Sequence, residues 1–256
     1  MNKVGLVLEK ELRELLPQRI LLTSLAALPL LVIALSAYLL ARPLACSLHG
    51  LPASASDPRL AGMSAREIAQ TVIAAQLRIL LLIQPLLLPT VIAAYSVVGE
   101  KNNRTLEPLL ASPVQTWQLL LAKGLAALLP TVVVTWISGA VFIGEVCALT
   151  SPAVFAATVT PVWLFVLAVS VPVMVLTPIA LTVMISSRVN DPRSASQASA
   201  LLFVLIVLGF ELFGASLVIS LTAAVLATLG LAVLGAILLL GATGVFQREA
   251  ILTRWR

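Results

Sequence analysis

Charged and aromatic residues are scarce in this sequence of 256 residues. Only 11% are Asp, Glu, Lys or Arg and only 5% are Phe, Trp or Tyr, whereas 60% are hydrophobic. A soluble domain needs a largely polar, charged surface, so this composition argues against one. The lack of aromatic side chains also argues against a surface on which nucleic-acid bases stack, and no nucleic-acid partner is expected.

Cysteine and histidine are almost absent as well. The chain has two cysteines, Cys46 and Cys147, and a single histidine, His49. No zinc-ligand spacing, no Ser/His/Asp arrangement and no pair of catalytic carboxylates occurs. A G-x-x-x-x-G-K-[ST] phosphate-binding loop is also missing. The chain is therefore expected not to be an enzyme, not to hydrolyse ATP by itself, and to hold no metal or cofactor of its own.

Long apolar runs are what the sequence has in abundance. Most of these runs are about 20 residues or longer, enough to cross a hydrocarbon core of about 30 Å, and the fifth is shorter. They predict an all-α, polytopic membrane protein with six transmembrane helices, at about 20–40, 71–98, 117–143, 156–186, 198–213 and 217–244. Residues 144–155 are expected to be a short loop. The fourth span is too long to stand straight and upright, and its three prolines are expected to bend it.

Residues 1–19 have a different pattern. Four apolar residues recur at helical spacing, and six charged residues fall mainly between them: Val4, Leu8, Leu12 and Leu15, then Lys3, Glu9, Lys10, Glu11, Arg13 and Glu14. This pattern predicts an amphipathic helix at the membrane interface that ends near Pro17. A mobile charged tail is the alternative. A cleavable signal peptide is disfavoured, because its apolar core would be only about 7–15 residues long.

The distribution of Lys and Arg predicts the orientation. If both termini are inside, 12 of the 16 Lys and Arg residues lie on the inner side, and only Arg42, Arg59, Arg66 and Arg78 lie on the outer side or in the second span. This bias follows the positive-inside rule, and an even number of spans puts both termini on one side. Cys46 and Cys147 then lie on the outer side, where a disulfide can persist, and whether they pair is left open.

A polar interruption separates the second and third spans, the run GEKNNRTLEPLLASPV at residues 99–114. Its charged residues require water, while Leu106, Leu109 and Leu110 give it a short apolar face. It is therefore expected to form a small amphipathic helix at the membrane surface, over about 100–112. The alternative is an ordinary solvated loop.

This polar run is similar to a known sequence pattern. The segment GEKNNRTLEPLLASPVQTWQLLLAK, residues 99–123, resembles the signature loop of ABC-2 type permeases, which are membrane subunits of ATP-binding-cassette transporters. Its most specific part is the Glu-x4-Thr-Leu-Glu core that starts at Glu100. Weaker similarities follow at 187–193 and 246–249. The plan of six spans with a helical lead-in is similar over the whole chain.

The resemblance implies an organisation and a set of partners. Residues 1–19 would be an elbow helix along the inner membrane surface, residues 20–244 the transmembrane domain, and residues 245–256 a cytoplasmic tail. The chain would pair with a second copy of itself or a similar permease, among membrane lipids. Two separate ATPase subunits would bind ATP and Mg. The segment 100–112 would fit a groove of the ATPase, with contacts from Glu100, Arg104, Thr105, Leu106, Glu107 and Leu109.

The resemblance also implies a pathway between the two membrane subunits, lined largely by the second and fifth spans. The corresponding polar and aromatic residues here are Gln84, Thr90, Tyr95, Phe203, Phe210 and Glu211. Two plainer interpretations stay open: Gln84 and Thr90 bond to neighbouring helices, and the two phenylalanines face lipid.

The expected function is the permease subunit of an ABC transporter in the cell membrane of a prokaryote. The substrate is expected to be exported, and the apolar interface favours an amphipathic or lipid-like molecule or a drug. One alternative is a membrane scaffold or assembly factor that binds an ATPase but forms no pathway. An intramembrane enzyme is disfavoured because the spans lack paired Asp, His or Ser/Lys groups.

Overall fold

A computed structural model describes residues 3–15, 19–42, 62–102, 116–186, 191–201 and 221–245. Within these residues the chain is helical and contains no strand, as the sequence predicts. In chain order the elements are α1 (Lys3–Leu15), α2 (Arg19–Ala41), α3 (Ala65–Asn102), α4 (Thr116–Leu149), α5 (Pro152–Thr158), α6 (Pro161–Phe165), a π-helical segment (Val166–Ser170), α7 (Val171–Ser186), α8 (192–201) and α9 (Leu221–Val245).

Four stretches in the described part of the chain are long and apolar enough to cross a membrane: Ala65–Ser96, Gln118–Leu149, Pro161–Ser186 and Leu221–Ala242. They coincide with the second, third, fourth and sixth predicted spans. The first predicted span falls on α2, a helix of 23 residues. Its apolar stretch Ala26–Ala41 is shorter than the four stretches above. Most of the fifth predicted span lies outside the described residues, so the count of six stays a prediction.

The predicted loop at residues 144–155 is wrong. Helix α4 continues to Leu149, and after a short break α5 begins at Pro152. Neither Gly144 nor any proline interrupts the helix there, and the Thr150 hydroxyl donates to the Val146 carbonyl at 2.6 Å. The new helix starts where local capping allows it, because the Ser151 side chain accepts a hydrogen bond from Val154 N–H and proline suits a first helical turn.

The fourth predicted span departs from a straight α-helix at its π-helical segment. Val171 N–H bonds to the Val166 carbonyl, five residues back. The next donor in that register would be residue 172, but this residue is Pro172, which has no N–H. The Leu167 carbonyl is left without that partner, and the Trp136 indole N–H of α4 donates to it at 2.8 Å. The proline thus explains both the wider turn and the cross-helix bond.

Two large apolar clusters form most of the core of the described residues. The first lies near the end of the bundle that is adjacent to residues 103–115, called here the loop end, and includes Ile92, Leu120, Ile179 and Val183. The second lies at the opposite end and joins α2, α3, α4 and the α6–α7 region through Leu40, Leu81, Phe142, Trp163 and others. Helices α3 and α4 contact each other and both contact α2 and α7, so they form the centre of the bundle.

Helix α9 packs on α7 and leaves its other face open. A buried hydrogen bond of 2.7 Å between the Ser170 and Thr228 hydroxyls joins α9 to the π-helical segment that precedes α7. The exposed face of α9 is apolar: Leu226, Leu229, Val233, Ile237 and Leu240. In a membrane-spanning helix such a face suits lipid or a second membrane subunit.

Two sequence patterns predict capped helix starts, Ser64 with Glu67 three residues later and Asp191 directly before Pro192, and both are confirmed. Ser64 Oγ accepts from Glu67 N–H at 3.4 Å, and Ser64 N–H donates to the Glu67 carboxylate at 2.8 Å, which is a capping box. Asp191 caps α8 by accepting from Ser194 N–H at 3.0 Å and Ser194 Oγ at 2.8 Å. These hydrogen bonds from Ser194 hold the pKa of Asp191 below its usual value.

Candidate functional site

Helix α1 is amphipathic as predicted, but its apolar face contacts protein. It packs mainly against α4 and also contacts α3. Leu8 and Leu12 lie against the apolar cluster at the loop end. The opposite face carries two exposed ion pairs one turn apart, Arg13 with Glu9 at 2.6 Å and Lys10 with Glu14 at 3.4 Å. The apolar residues of α1 thus dock the helix on the bundle and leave a charged face outward.

A buried ion pair lies beneath α1. The Lys123 ammonium of α4 is 2.8 Å from the Glu11 carboxylate of α1, and each side chain is only 3% exposed. The hydroxyl of Ser96 in α3 donates to the second oxygen of Glu11 at 2.7 Å. The same hydroxyl accepts from Lys123 at 2.9 Å. Glu11, Ser96 and Lys123, called here the α1 cluster, therefore join three helices.

The hydrogen bonds of the α1 cluster explain how two charges can be buried there. Each oxygen of Glu11 has a donor, from Lys123 and from Ser96. Lys123 also lies 3.4 Å from the Ser96 carbonyl, so its donors reach three oxygens. A desolvated charge is costly unless such partners replace water. The cluster is thus a hydrogen-bonded polar unit beside the apolar cluster at the loop end.

The α1 cluster lies beside the segment that resembles the signature loop. Ser96 is within about two helical turns of the end of α3, and Lys123 is about two turns into α4. The cluster therefore lies close to the two helix ends that flank residues 103–115. Of the six predicted ATPase-contact residues, Glu100 lies in the last turn of α3. Arg104, Thr105, Leu106, Glu107 and Leu109 lie outside the described residues, and all six contacts stay predictions.

The predicted pathway residues of α3 lie inside the protomer. Gln84 is fully buried and Thr90 is 1% exposed, while Tyr95 is partly buried and packs against the loop-end cluster. Thr90 Oγ1 donates to the Leu87 carbonyl at 2.7 Å. Phe203, Phe210 and Glu211 lie outside the described residues. The pathway role of all six residues stays a prediction.

Within the described residues neither atom of the buried Gln84 amide has a hydrogen-bond partner, and four other buried side chains also have an unpartnered polar atom. Gln70, in the same helix, shows the ordinary arrangement. Its amide nitrogen donates to the Leu40 carbonyl at 3.0 Å and lies 3.4 Å from the Leu149 carbonyl. These carbonyls belong to the last turns of α2 and α4, where intrahelical donors are lacking. Gln70 therefore has a structural role that Gln84 lacks.

We expect Gln84→Leu to stabilise the protein by about 1–3 kcal/mol, because it removes a buried amide without breaking a hydrogen bond. Gln70→Leu is the matched control, with the same change in the same helix, and should destabilise by a similar amount because it strands two carbonyls. Thermal unfolding in detergent measures both. A loss of stability in Gln84→Leu would show that the amide has a partner. If Gln84 serves transport rather than stability, Gln84→Leu should be more stable and transport less substrate.

Polar contacts also close the opposite end of the bundle. The Arg78 guanidinium of α3 donates to the Thr158 carbonyl at 3.0 Å and lies 5.9 Å from the centre of the Trp163 ring. Ser151 Oγ donates to the Glu67 carboxylate at 2.6 Å. These bonds attach the short helix α5 to α3. They hold this end together independently of the loop end.

Sequence reasoning missed the α1 cluster and grouped Glu11 with the outward charges. The signal is present, since Glu11 lies three residues from Leu8 and four from Leu15, on the apolar face of α1. Lys123 is likewise an isolated charge in an apolar run. Metal chemistry has no comparable signal: within the described residues, no three His, Cys, Asp or Glu side chains are placed to hold a metal ion. Cys147 is an exposed free thiol, and Cys46 lies outside the described residues.

One comparison with known proteins gives a match. A family model described as an ABC-2 family transporter protein matches residues 6–240, which cover most of α1 and nearly all of the transmembrane region. No protein of curated function matches the chain in sequence.

Proposed function

The chain belongs to the ABC-2 family of transporters, and we propose that it is the permease subunit of an ATP-driven exporter. The match over residues 6–240 is the observation that carries this proposal. The four long apolar helices support it, because they supply the membrane part of such a machine. Within this family the chain is the membrane component, and a separate ABC ATPase subunit is its partner.

The proposed mechanism assigns each part of the chain a role. The ATPase binds ATP and Mg and closes on ATP binding, and the segment about 100–112 receives that movement in a groove of the ATPase. Glu100, Arg104 and Glu107 supply charged contacts and Leu106 and Leu109 apolar ones. Two arrangements of the spans must differ in their affinity for the ATP-bound ATPase, since only such a difference lets nucleotide shift the equilibrium.

The proposed pathway lies between this chain and a second copy or a similar permease in the cell membrane, with both termini cytoplasmic. The outer faces of α9 and α4 are apolar, so the protomer presents few charges to lipid or to a partner subunit. Such a surface suits an amphipathic or lipid-like substrate, or a drug, better than a free ion or a sugar. Gln84, Thr90, Tyr95, Phe203, Phe210 and Glu211 remain the proposed lining residues.

The second candidate is a membrane scaffold that binds the ATPase and forms no pathway. The packing of α3 on α4 and α7 favours the scaffold, because the polar residues Gln84 and Thr90 are enclosed in one protomer. The two functions differ in one measurable respect, which is movement of substrate.

We expect vesicles that contain the chain and its ATPase subunit to move an amphipathic fluorescent substrate when ATP is supplied. Vesicles with the chain alone, and vesicles with a hydrolysis-deficient ATPase, are the controls. A panel of lipid-like dyes, drugs, sugars and ions tests the substrate class. ATPase binding and hydrolysis without flux of any substrate would support the scaffold instead, and absence of ATPase binding would exclude both functions.

A further inference from the structure

Helix α1 is attached to the bundle by two kinds of contact. Leu8 and Leu12 pack against the apolar cluster at the loop end, and the α1 cluster of Glu11, Ser96 and Lys123 forms a polar connection beneath them. The apolar contacts are sufficient to dock an amphipathic helix, because burial of apolar area is not directional. The polar connection adds one fixed geometry to that docking.

We infer that Glu11, Ser96 and Lys123 are positioning residues that make α1 and the loop-end parts of α3 and α4 move as one unit. This inference rests on the proposed function, since the movement is the one that the ATPase imposes on the segment about 100–112. The unit has a cytoplasmic face formed by α1 and by the two helix ends that flank residues 103–115. A force applied to either part then reaches both spans.

Ser96 makes the cluster a three-helix connection rather than an ion pair between two helices. Its hydroxyl is 2.7 Å from Glu11 of α1 and 2.9 Å from Lys123 of α4, as donor to the first and acceptor from the second. A helix that shifted by one residue would break several of these bonds together and leave a charge in an apolar site. Small independent movements of α1, α3 and α4 are therefore opposed, while movement of the three together is not.

Stability alone does not account for this choice of residues. Well-packed apolar side chains of similar size stabilise a buried site as well as an ion pair does, and often better. The exposed face of the same helix shows where ordinary charge pairs lie, with Glu9 and Arg13 in solvent. Glu11 and Lys123 instead place opposite charges on the apolar faces of two helices, beside the predicted coupling segment. A role in fixing the geometry of these helices requires this placement.

The test uses the chain in complex with its ATPase in vesicles, with ATP hydrolysis and substrate flux measured on the same samples. Glu11→Gln keeps the side-chain shape and removes the charge. We expect the amount of substrate moved per ATP hydrolysed to fall about tenfold, inside the range of coupling between sites. Glu9→Gln is the matched control on the exposed face and should leave this ratio unchanged. A purely structural role would lower the amount of folded complex but not the ratio.

A second readout does not depend on transport. Hydrogen exchange of the α1 backbone amides, measured on the complex with and without ATP, reports whether the helix stays docked. In the parent and in Glu9→Gln the protection of α1 should be the same in both nucleotide states. In Glu11→Gln the protection of the α1 amides should fall about tenfold when ATP is bound, which is within the same range of coupling between sites. The charge exchange Glu11→Lys with Lys123→Glu should recover much of both losses, because it restores the pair.

The outcomes separate this inference from the proposed function. If the parent transports and Glu11→Gln matches it in transport per ATP and in α1 protection, the positioning role is overturned and the proposed function stands. If the parent shows no ATP-driven transport, the proposed function fails, and the α1 protection alone decides whether the cluster fixes the three helices. Loss of protection in Glu11→Gln but not in Glu9→Gln supports the cluster, and equal protection overturns it.

Discussion

Glu107→Arg is expected to abolish ATP-driven transport while the chain still inserts into the membrane, and Glu100→Ala is expected to weaken it strongly. Both residues belong to the Glu-x4-Thr-Leu-Glu core of the predicted ATPase contact. Losing one member of a charged pair at a partner surface costs several kcal/mol if the other charge is left unpaired, about 2–5. An exposed pair at the rim would cost only about 0–1 kcal/mol. The size of the loss therefore also reports how buried the contact is.

The measurement for these two variants is co-purification of the ATPase, followed by hydrolysis and flux in vesicles. Ser54→Ala is the control and should behave as the parent, because residue 54 lies between the first and second predicted spans, on the predicted outer side. If both loop variants bind the ATPase and transport like the parent, the segment is only a connector. The role assigned to residues 100–112 would then lose its main support, although the family membership would not.

The features that sequence reasoning predicted correctly are those set by local chemistry. The capping box at Ser64 and Glu67, and the Asp191 cap of α8, join residues only three positions apart. The long helices follow from apolar runs, since a bilayer requires every backbone group to be bonded within its own segment. For these elements the partner of each group lies within one helical turn of it, so the sequence alone specifies it.

The features that sequence reasoning missed depend on packing between distant segments. Glu11 and Lys123 are 112 residues apart, and Ser36 bonds to Glu145 across 109 residues. Periodicity locates Glu11 on the apolar face of α1 but does not identify which helix covers that face. The predicted interfacial position of α1 therefore omitted its contact with α4. The loop predicted at 144–155 was wrong for a local reason, because α4 continues past Gly144 to Leu149 and α5 begins at Pro152.

Lys123→Met is expected to destabilise the protein by about 3–5 kcal/mol, because it leaves the Glu11 carboxylate buried without its counter-charge. Lys10→Met is the matched control, since it removes the same charge from a pair with Glu14 and leaves the rest of α1 intact. The side chain of Lys10 is 39% exposed and that of Lys123 is 3% exposed. The control should therefore cost only about 0–1 kcal/mol. Thermal or denaturant unfolding of the purified chain in detergent measures both.

The double variant Lys123→Met with Glu11→Met separates the cost of a stranded charge from the value of the pair. Two apolar side chains of similar length remove both desolvated charges and fill the same space. A buried pair replaced in this way typically changes stability little or raises it by about 1–4 kcal/mol. We therefore expect the double variant to recover most of the stability that Lys123→Met loses. Two outcomes would show that Glu11 and Lys123 are not a desolvated pair: a double variant that is less stable than Lys123→Met, or equal losses of stability in Lys123→Met and Lys10→Met. The connection of α1 to α3 and α4 would then rest on Leu8 and Leu12 alone.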